Sequence, residues 1–157
     1  MKILIVGIVA SGKTTLARKL SKLLDIKCYE IDSVVHDDAL GVKRSEKEQW
    51  EMFDKINKEH DWIIEGTLRK NLFYLCDMAD RIIYLDIPVN VRKRRIFTRF
   101  IKQLFGIEKC NYKVNFKMLK NMYKWTDDFK KDKENFEKKL FEYKEKIVVL
   151  KDNKFVV

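Results

Sequence analysis

Ile3-Leu4-Ile5-Val6 is an unbroken apolar run closed by Gly7, the pattern of a strand buried on both faces. Leu16, Leu20, Leu23 and Leu24 then recur at helical spacing among polar residues, and Lys27 to Ile31 reads as a short second strand. Ser45, followed three positions later by Glu48, is a capping-box signature for a helix with Trp50, Phe53 and Ile56 on one face. Trp62-Ile63-Ile64 and Ile82-Ile83-Tyr84-Leu85 are two more strands, ended by the carboxylates Glu65 and Asp86. After Pro88 comes a helix with an apolar stripe of Val91, Ile96, Phe97, Phe100, Ile101 and Leu104. Phe136, Leu140 and Tyr143 mark another helix, and Ile147 to Leu150 a last strand. Strands alternating with helices in this way predict an α/β fold, a parallel sheet covered on both faces.

Composition narrows the class. A chain of 157 residues predicts a single domain, 1–157. Its 46% apolar content is enough for a core and excludes intrinsic disorder, while 5 Gly and 1 Pro are too few for a sandwich of many short strands. Lys and Arg number 34 against 24 Asp and Glu, a balance of +10. Between Arg92 and Lys124 stand 11 basic residues and one acid, Glu108, so this segment holds the whole imbalance and the remainder is neutral. Such a patch suits phosphate-rich ligands of several kinds, mononucleotides as much as DNA or an anionic membrane. Cys28, Cys76 and Cys110 are odd in number and scattered, with only His36 and His60 as nitrogen ligands, which argues against zinc and for reduced thiols in a cytoplasmic protein. No apolar run approaches the ~18 residues of a membrane span, so no membrane partner is expected.

The most specific motif is Gly7-Ile8-Val9-Ala10-Ser11-Gly12-Lys13-Thr14, a full G-x-x-x-x-G-K-[ST] placed between a buried strand and a helix. Glycines let the backbone turn its N–H groups toward an anion, and the helix that follows adds the positive end of its dipole. Gly7, Ala10, Ser11, Gly12, Lys13, Thr14 and Thr15 are the expected ATP-binding residues. Lys13 would neutralise the β- and γ-phosphates, and the Thr14 hydroxyl would ligate Mg²⁺. The N-terminal lysine and apolar run also imitate a short signal peptide, but cleavage there would destroy this cradle.

Ligands of an open parallel sheet bind at the carboxyl ends of its strands, which gathers Glu30, Asp32, Glu65 and Asp86 around one phosphate site. Asp32 could take the proton of an acceptor hydroxyl, help hold Mg²⁺ through water, or simply cap a turn. Glu65 and Asp86 both end hydrophobic runs in the manner of a metal-holding acid, and the sequence does not choose between them. His36-Asp37-Asp38 reads as a solvated loop. Arg92, Arg95 and Arg99 fall at i, i+3 and i+7 on one face opposite the apolar stripe, suited to a transferring phosphoryl group or to water alone.

Together these residues resemble the adenylate-kinase-like branch of the P-loop kinases, and within it the bacterial DNA topology modulation proteins. The resemblance rests on Gly7 to Thr14, Glu30-Ile31-Asp32, Trp62-Ile63-Ile64-Glu65-Gly66, the run from Ala79 to Pro88, and Lys146 to Leu150. It implies a three-layer α/β/α P-loop NTPase fold with a five-stranded parallel sheet in the order 2-3-1-4-5 and a helical lid, a basic insertion at about 103–126. Glu65-Gly66-Thr67-Leu68-Arg69 occupies the place of the adenylate kinase Asp-Gly-Phe-Pro-Arg, so Arg69 would contact a phosphate of the acceptor. Arg95 and Arg99 match the two arginines that close over the donor. The Thr-Gly that reads AMP in adenylate kinases is missing here, so AMP as acceptor is not implied.

The expected function is an ATP- and Mg²⁺-dependent kinase acting on a nucleotide or other small acceptor, with Lys13, Asp32, Arg69, Arg95 and Arg99 as catalytic residues and Thr14, Glu65 and Asp86 as metal candidates. The alternative is a nucleic-acid-binding NTPase, or a nucleotide-dependent regulator affecting DNA topology. In it the 92–124 segment tracks phosphates while Phe105, Tyr112, Phe116, Tyr123 and Trp125 stack on bases. The aromatics at 112, 116 and 119 to 123 would also fit an ordinary helix core.

Overall fold

In a computed structural model the residues described are 1–37, 41–108 and 114–152. Five parallel strands form the central sheet: β1 (Lys2–Gly7), β2 (Cys28–Glu30), β5 (Trp62–Gly66), β6 (Arg81–Leu85) and β7 (Ile147–Leu150). Their order is β2-β5-β1-β6-β7, which is 2-3-1-4-5 for the five expected strands. The buried strands are apolar on both sides because both faces are covered. Ile3 and Ile5 point with Leu85 toward Leu16 and Ala17 of α1 (Lys13–Leu24). Leu4, Val6, Trp62 and Tyr84 point the other way, into a core with α2 (Ile31–Val35), α3 (Glu46–Asn57), α4 (Tyr74–Met78) and the end of α6 (Phe116–Leu140). Period-2 alternation along each strand thus feeds two cores.

Register sets the site. Val6 lies beside Gly66 on one flank and Tyr84 on the other, and Glu30 beside Glu65, so the carboxyl ends of β1, β2, β5 and β6 finish level. Among the described residues, no helix is long and apolar enough to cross a membrane.

Several expected details differ. Ile31 leaves the second strand and opens α2, carrying Asp32 into that helix's first turn. In α3 the capping box of Ser45 and Glu48 is present, but the buried face is Gln49, Phe53 and Ile56, with Trp50 exposed. Gln49 is held inward because its Nε2 donates to the Arg44 carbonyl at 2.6 Å. Leu23 and Leu24, in the last turn of α1, are exposed. His36–Asp37 is not a plain loop but pairs antiparallel with β4 (Val42–Lys43) as a small ribbon, β3. Arg44 staples the ribbon to α2, donating to the carbonyls of Ser33, Val34 and His36 and to Asp37 Oδ2.

The largest departure is in α5 (Val89–Leu104). Its buried face is Arg92, Ile96, Phe100 and Gln103, while Phe97, Ile101 and Leu104 are exposed. The reason is tertiary: α6 packs against α5, and Phe100 meets the Phe116 ring with centroids 5.3 Å apart. Arg92 therefore shares the buried face instead of lying opposite it. Within the expected insertion, α5 ends at Leu104 and α6 runs from Phe116 past position 126 without a break. Lys109, Cys110, Tyr112 and Lys113 lie outside the described residues, as does Asp38.

Candidate active site

The turn between β1 and α1 wraps a concave backbone. Gly12 adopts φ 96°, a left-handed conformation that favours glycine, and Ala10 adopts φ 60°. Ser11, fully buried, donates its backbone N–H to the Ile8 carbonyl at 3.2 Å and closes the loop. Gly7 ends β1, where its carbonyl accepts from Thr67 Oγ1 at 3.2 Å. Arg95 reaches back from α5 and donates through Nη1 to the Ala10 and Ser11 carbonyls at 3.4 and 3.2 Å. The loop is thus tied to the residue that follows β5 and to α5 as well as to its own flanking elements.

Lys13 folds over the loop, its Nζ donating to the Ile8 carbonyl at 3.1 Å. Burial lowers its pKa, with Glu65 and Asp32 opposing that fall and Arg99 and Arg92 adding to it. Thr14 Oγ1 donates to Glu65 Oε1 at 2.5 Å. Glu65 is 3% exposed, and burial raises its pKa against the pull of the Thr14 bond and the Lys13 charge. Thr15 is exposed on the outer side of the same turn.

Asp32 and Arg69 face each other at 3.6 Å, both partly open to solvent. Glu30 pairs with Arg18 at 3.5 Å. Arg99 pairs with Glu108 at 2.8 Å. Asp86 is the outlier: its Oδ1 accepts from Lys133 Nζ of α6 at 2.7 Å. Of the two strand-end acids the sequence left open, Glu65 is the one brought to Thr14. Two participants had no sequence signal: Thr67, an ordinary polar residue after a strand, and Lys133, one of many lysines on α6.

A buried strand, a phosphate cradle, a lysine over it and a hydroxyl–carboxylate pair beside it define a P-loop protein. The family model described as an AAA domain matches residues 3–102, and the chain belongs to that family. A cytidylate kinase of Sulfolobus acidocaldarius is 31% identical over 114 residues, covering 63% of this chain and 62% of that enzyme. The chain therefore spans less than two thirds of that relative's length. A shikimate kinase of Clostridium botulinum is 25% identical over 137 residues, 78% of each chain. Among solved structures, shikimate kinase from Bacteroides thetaiotaomicron matches with a TM-score of 0.56 at 12% identity, covering 96% of this chain and 85% of that one, a likeness of fold.

Proposed function

We propose that this protein is a cytoplasmic single-domain kinase that transfers the γ-phosphoryl group of ATP to a nucleotide or other small acceptor. The observation that carries the reading is the Thr14–Glu65 bond beside Lys13 at the mouth of the loop. Backbone N–H groups of 10–15 would cradle the phosphates, with Lys13 neutralising the β- and γ-oxygens. An acceptor hydroxyl oxygen would bond to the γ-phosphorus in line as the bridging oxygen–phosphorus bond breaks and ADP leaves. The hydroxyl proton would pass to Asp32, and Arg69 would hold an acidic group of the acceptor. Arg95 and Arg99 would stabilise charge spread over the transferring group, under a lid formed at about 103–126.

Mg²⁺ fits this place. Thr14 and Glu65 offer oxygen donors of the kind a hard cation takes, and Mg²⁺ usually relies on one or two carboxylates plus substrate phosphates. Bound there, it would neutralise phosphate charge. Asp86, engaged by Lys133, is the weaker metal candidate.

The test is ATP consumption measured with a panel of nucleoside monophosphates, nucleosides and small hydroxy acids. One acceptor should raise turnover well above the blank, and Lys13→Ala should abolish it. Intact ATP binding with no response to any acceptor would overturn the kinase reading.

A second reading is favoured by one observation. Phe105 and Phe116 are each 76% exposed and Trp125 51%, which leaves aromatic surface open on this side of the molecule, while Tyr123 is half-buried. They stand among Lys102, Lys117, Lys120 and Lys124, a composition that suits single-stranded nucleic acid and the finer resemblance to topology modulation proteins. Fluorescence anisotropy with a labelled oligonucleotide checks it: binding should weaken with salt and fall when Lys117 and Lys120 become Glu.

A further inference from the structure

Beside the phosphate loop lies a cavity of about 270 Å³, between the ends of β6 and β7, the start of α5 and the middle of α6. Its lining includes Ile8, Asp86, Arg92, Lys130, Lys133 and Lys151. Ile8 is shared with the phosphate loop, Asp86 is one of the expected metal candidates, and Arg92 is one of the three arginines the sequence singled out. Four cations thus face one carboxylate, and that carboxylate is already engaged by Lys133 at 2.7 Å. Lys133 is further held by Glu137 at 3.4 Å.

Arg92 is the informative member. It is 4% exposed, and its Nε donates to the Ile87 carbonyl at 2.9 Å, which fixes the guanidinium plane. Its Nη1 is buried and, among the described residues, has no hydrogen-bond partner. A guanidinium keeps its charge at any ordinary pH, so it cannot escape this position by losing a proton. Buried charges are ordinarily paired, and a guanidinium of fixed charge in the wall of a cavity lined by three lysines and one carboxylate favours an oxyanion there.

We propose that this cavity is an oxyanion-binding site, separate from the phosphate loop, that takes the phosphate or carboxylate group of a small ligand. Arg92 supplies fixed positive charge at the inner wall. Lys130 and Lys151, both exposed, supply mobile charge at the rim. The volume, about 270 Å³, is more than one small anion fills, which leaves room for an organic body. Pro88, Val89 and Phe129 give that body apolar wall to lie against. The site does not depend on the proposed kinase activity, since Lys13, Asp32, Arg69, Arg95 and Arg99, the residues proposed to carry phosphoryl transfer, are absent from its lining.

The experiment fills the phosphate loop first, with a saturating non-hydrolysable ATP analogue and Mg²⁺, because that loop would itself bind phosphate. Inorganic phosphate and malonate are then titrated separately by calorimetry. Saturable binding of one equivalent is expected, weakened at least tenfold in a Lys130→Ala/Lys151→Ala double variant and in Arg92→Lys. Preference for phosphate identifies a phosphorylated ligand, and preference for malonate a carboxylic acid. The rim variants change exposed side chains and keep the test valid if Arg92→Lys does not fold. No binding once the loop is filled, or binding that ignores both variants, would overturn the proposal. Binding of the ATP analogue is read in the same cell, so its failure is recognised separately.

Discussion

Thr14 Oγ1 donates to Glu65 Oε1 at 2.5 Å, joining the first turn of α1 to β5 across 51 positions of sequence. The bond sets both residues beside Lys13, and it exists because β1 and β5 are sheet neighbours with Ile5 level with Glu65. Glu65→Gln keeps the shape and removes the charge. Mg²⁺-dependent ATP affinity should fall on the order of 10–100-fold, as for other groups that support a metal. Calorimetry with and without Mg²⁺ checks this, and equal losses in both conditions would assign Glu65 a purely structural role.

The Asp32–Arg69 pair is long and solvent-exposed, so its worth to stability is about 0–1 kcal/mol. Arg69→Ala should therefore leave the thermal midpoint nearly unchanged. Once an acceptor is known, the same variant should raise its KM while the KM for ATP stays put. A matched rise in both would separate Arg69 from the acceptor side.

Gly66 sits where a side chain cannot. A Cβ there would lie 2.6 Å from Ile31 Cβ, the residue that opens α2 just before Asp32. Neither backbone has room to yield cheaply, so Gly66→Ala should cost about 1–3 kcal/mol, typical of overpacking. Denaturant unfolding measures this directly. An unchanged midpoint would mean that the β5–α2 approach is looser than it looks.

Alkaline pH should weaken the fold through buried acids. Burial pushes the Cys76 thiol up from 9.0 to about 12 and the Cys28 thiol to about 11. Tyr74 rises from 10.0 to about 12 for the same reason. The unfolded chain releases these protons first, so it binds fewer protons than the native state. Stability is then fully present below pH 9 and declines through the range up to about 11–12. Urea melts at pH 8, 9.5 and 10.5 should show the decline, and Cys76→Ala should make it shallower. A flat profile would contradict the burial of these groups. The same shifts predict slow alkylation of both thiols at pH 8.

How much of this was legible beforehand differs between parts of the molecule. The phosphate loop, the five strands and the capping box of α3 were readable because each is written in a contiguous stretch whose spacing matches one local geometry. The faces of α3 and α5 were not. Trp50, Phe97, Ile101 and Leu104 have the right period for a core stripe, but period does not say which neighbour arrives. Gln49 is buried because Arg44 offers it a carbonyl, and Arg92 because α6 closes over that side of α5. Glu65 and Asp86 show the same limit: both end apolar strands, and their fates divide only through the partner each meets, Thr14 for one and Lys133 for the other.

By itself the sequence determined the kind of chemistry, since a glycine-rich turn, a lysine and a hydroxyl within eight residues form an anion site wherever that turn folds. It also determined a sheet covered on both sides, because uninterrupted apolar strands are stable only there. Which acid serves the hydroxyl, which arginine is buried, and that a cationic cavity stands beside the phosphate loop were decided by tertiary structure alone. These depend on strand register and on the packing of α6, which bring together residues dozens of positions apart, and no local pattern encodes such distances.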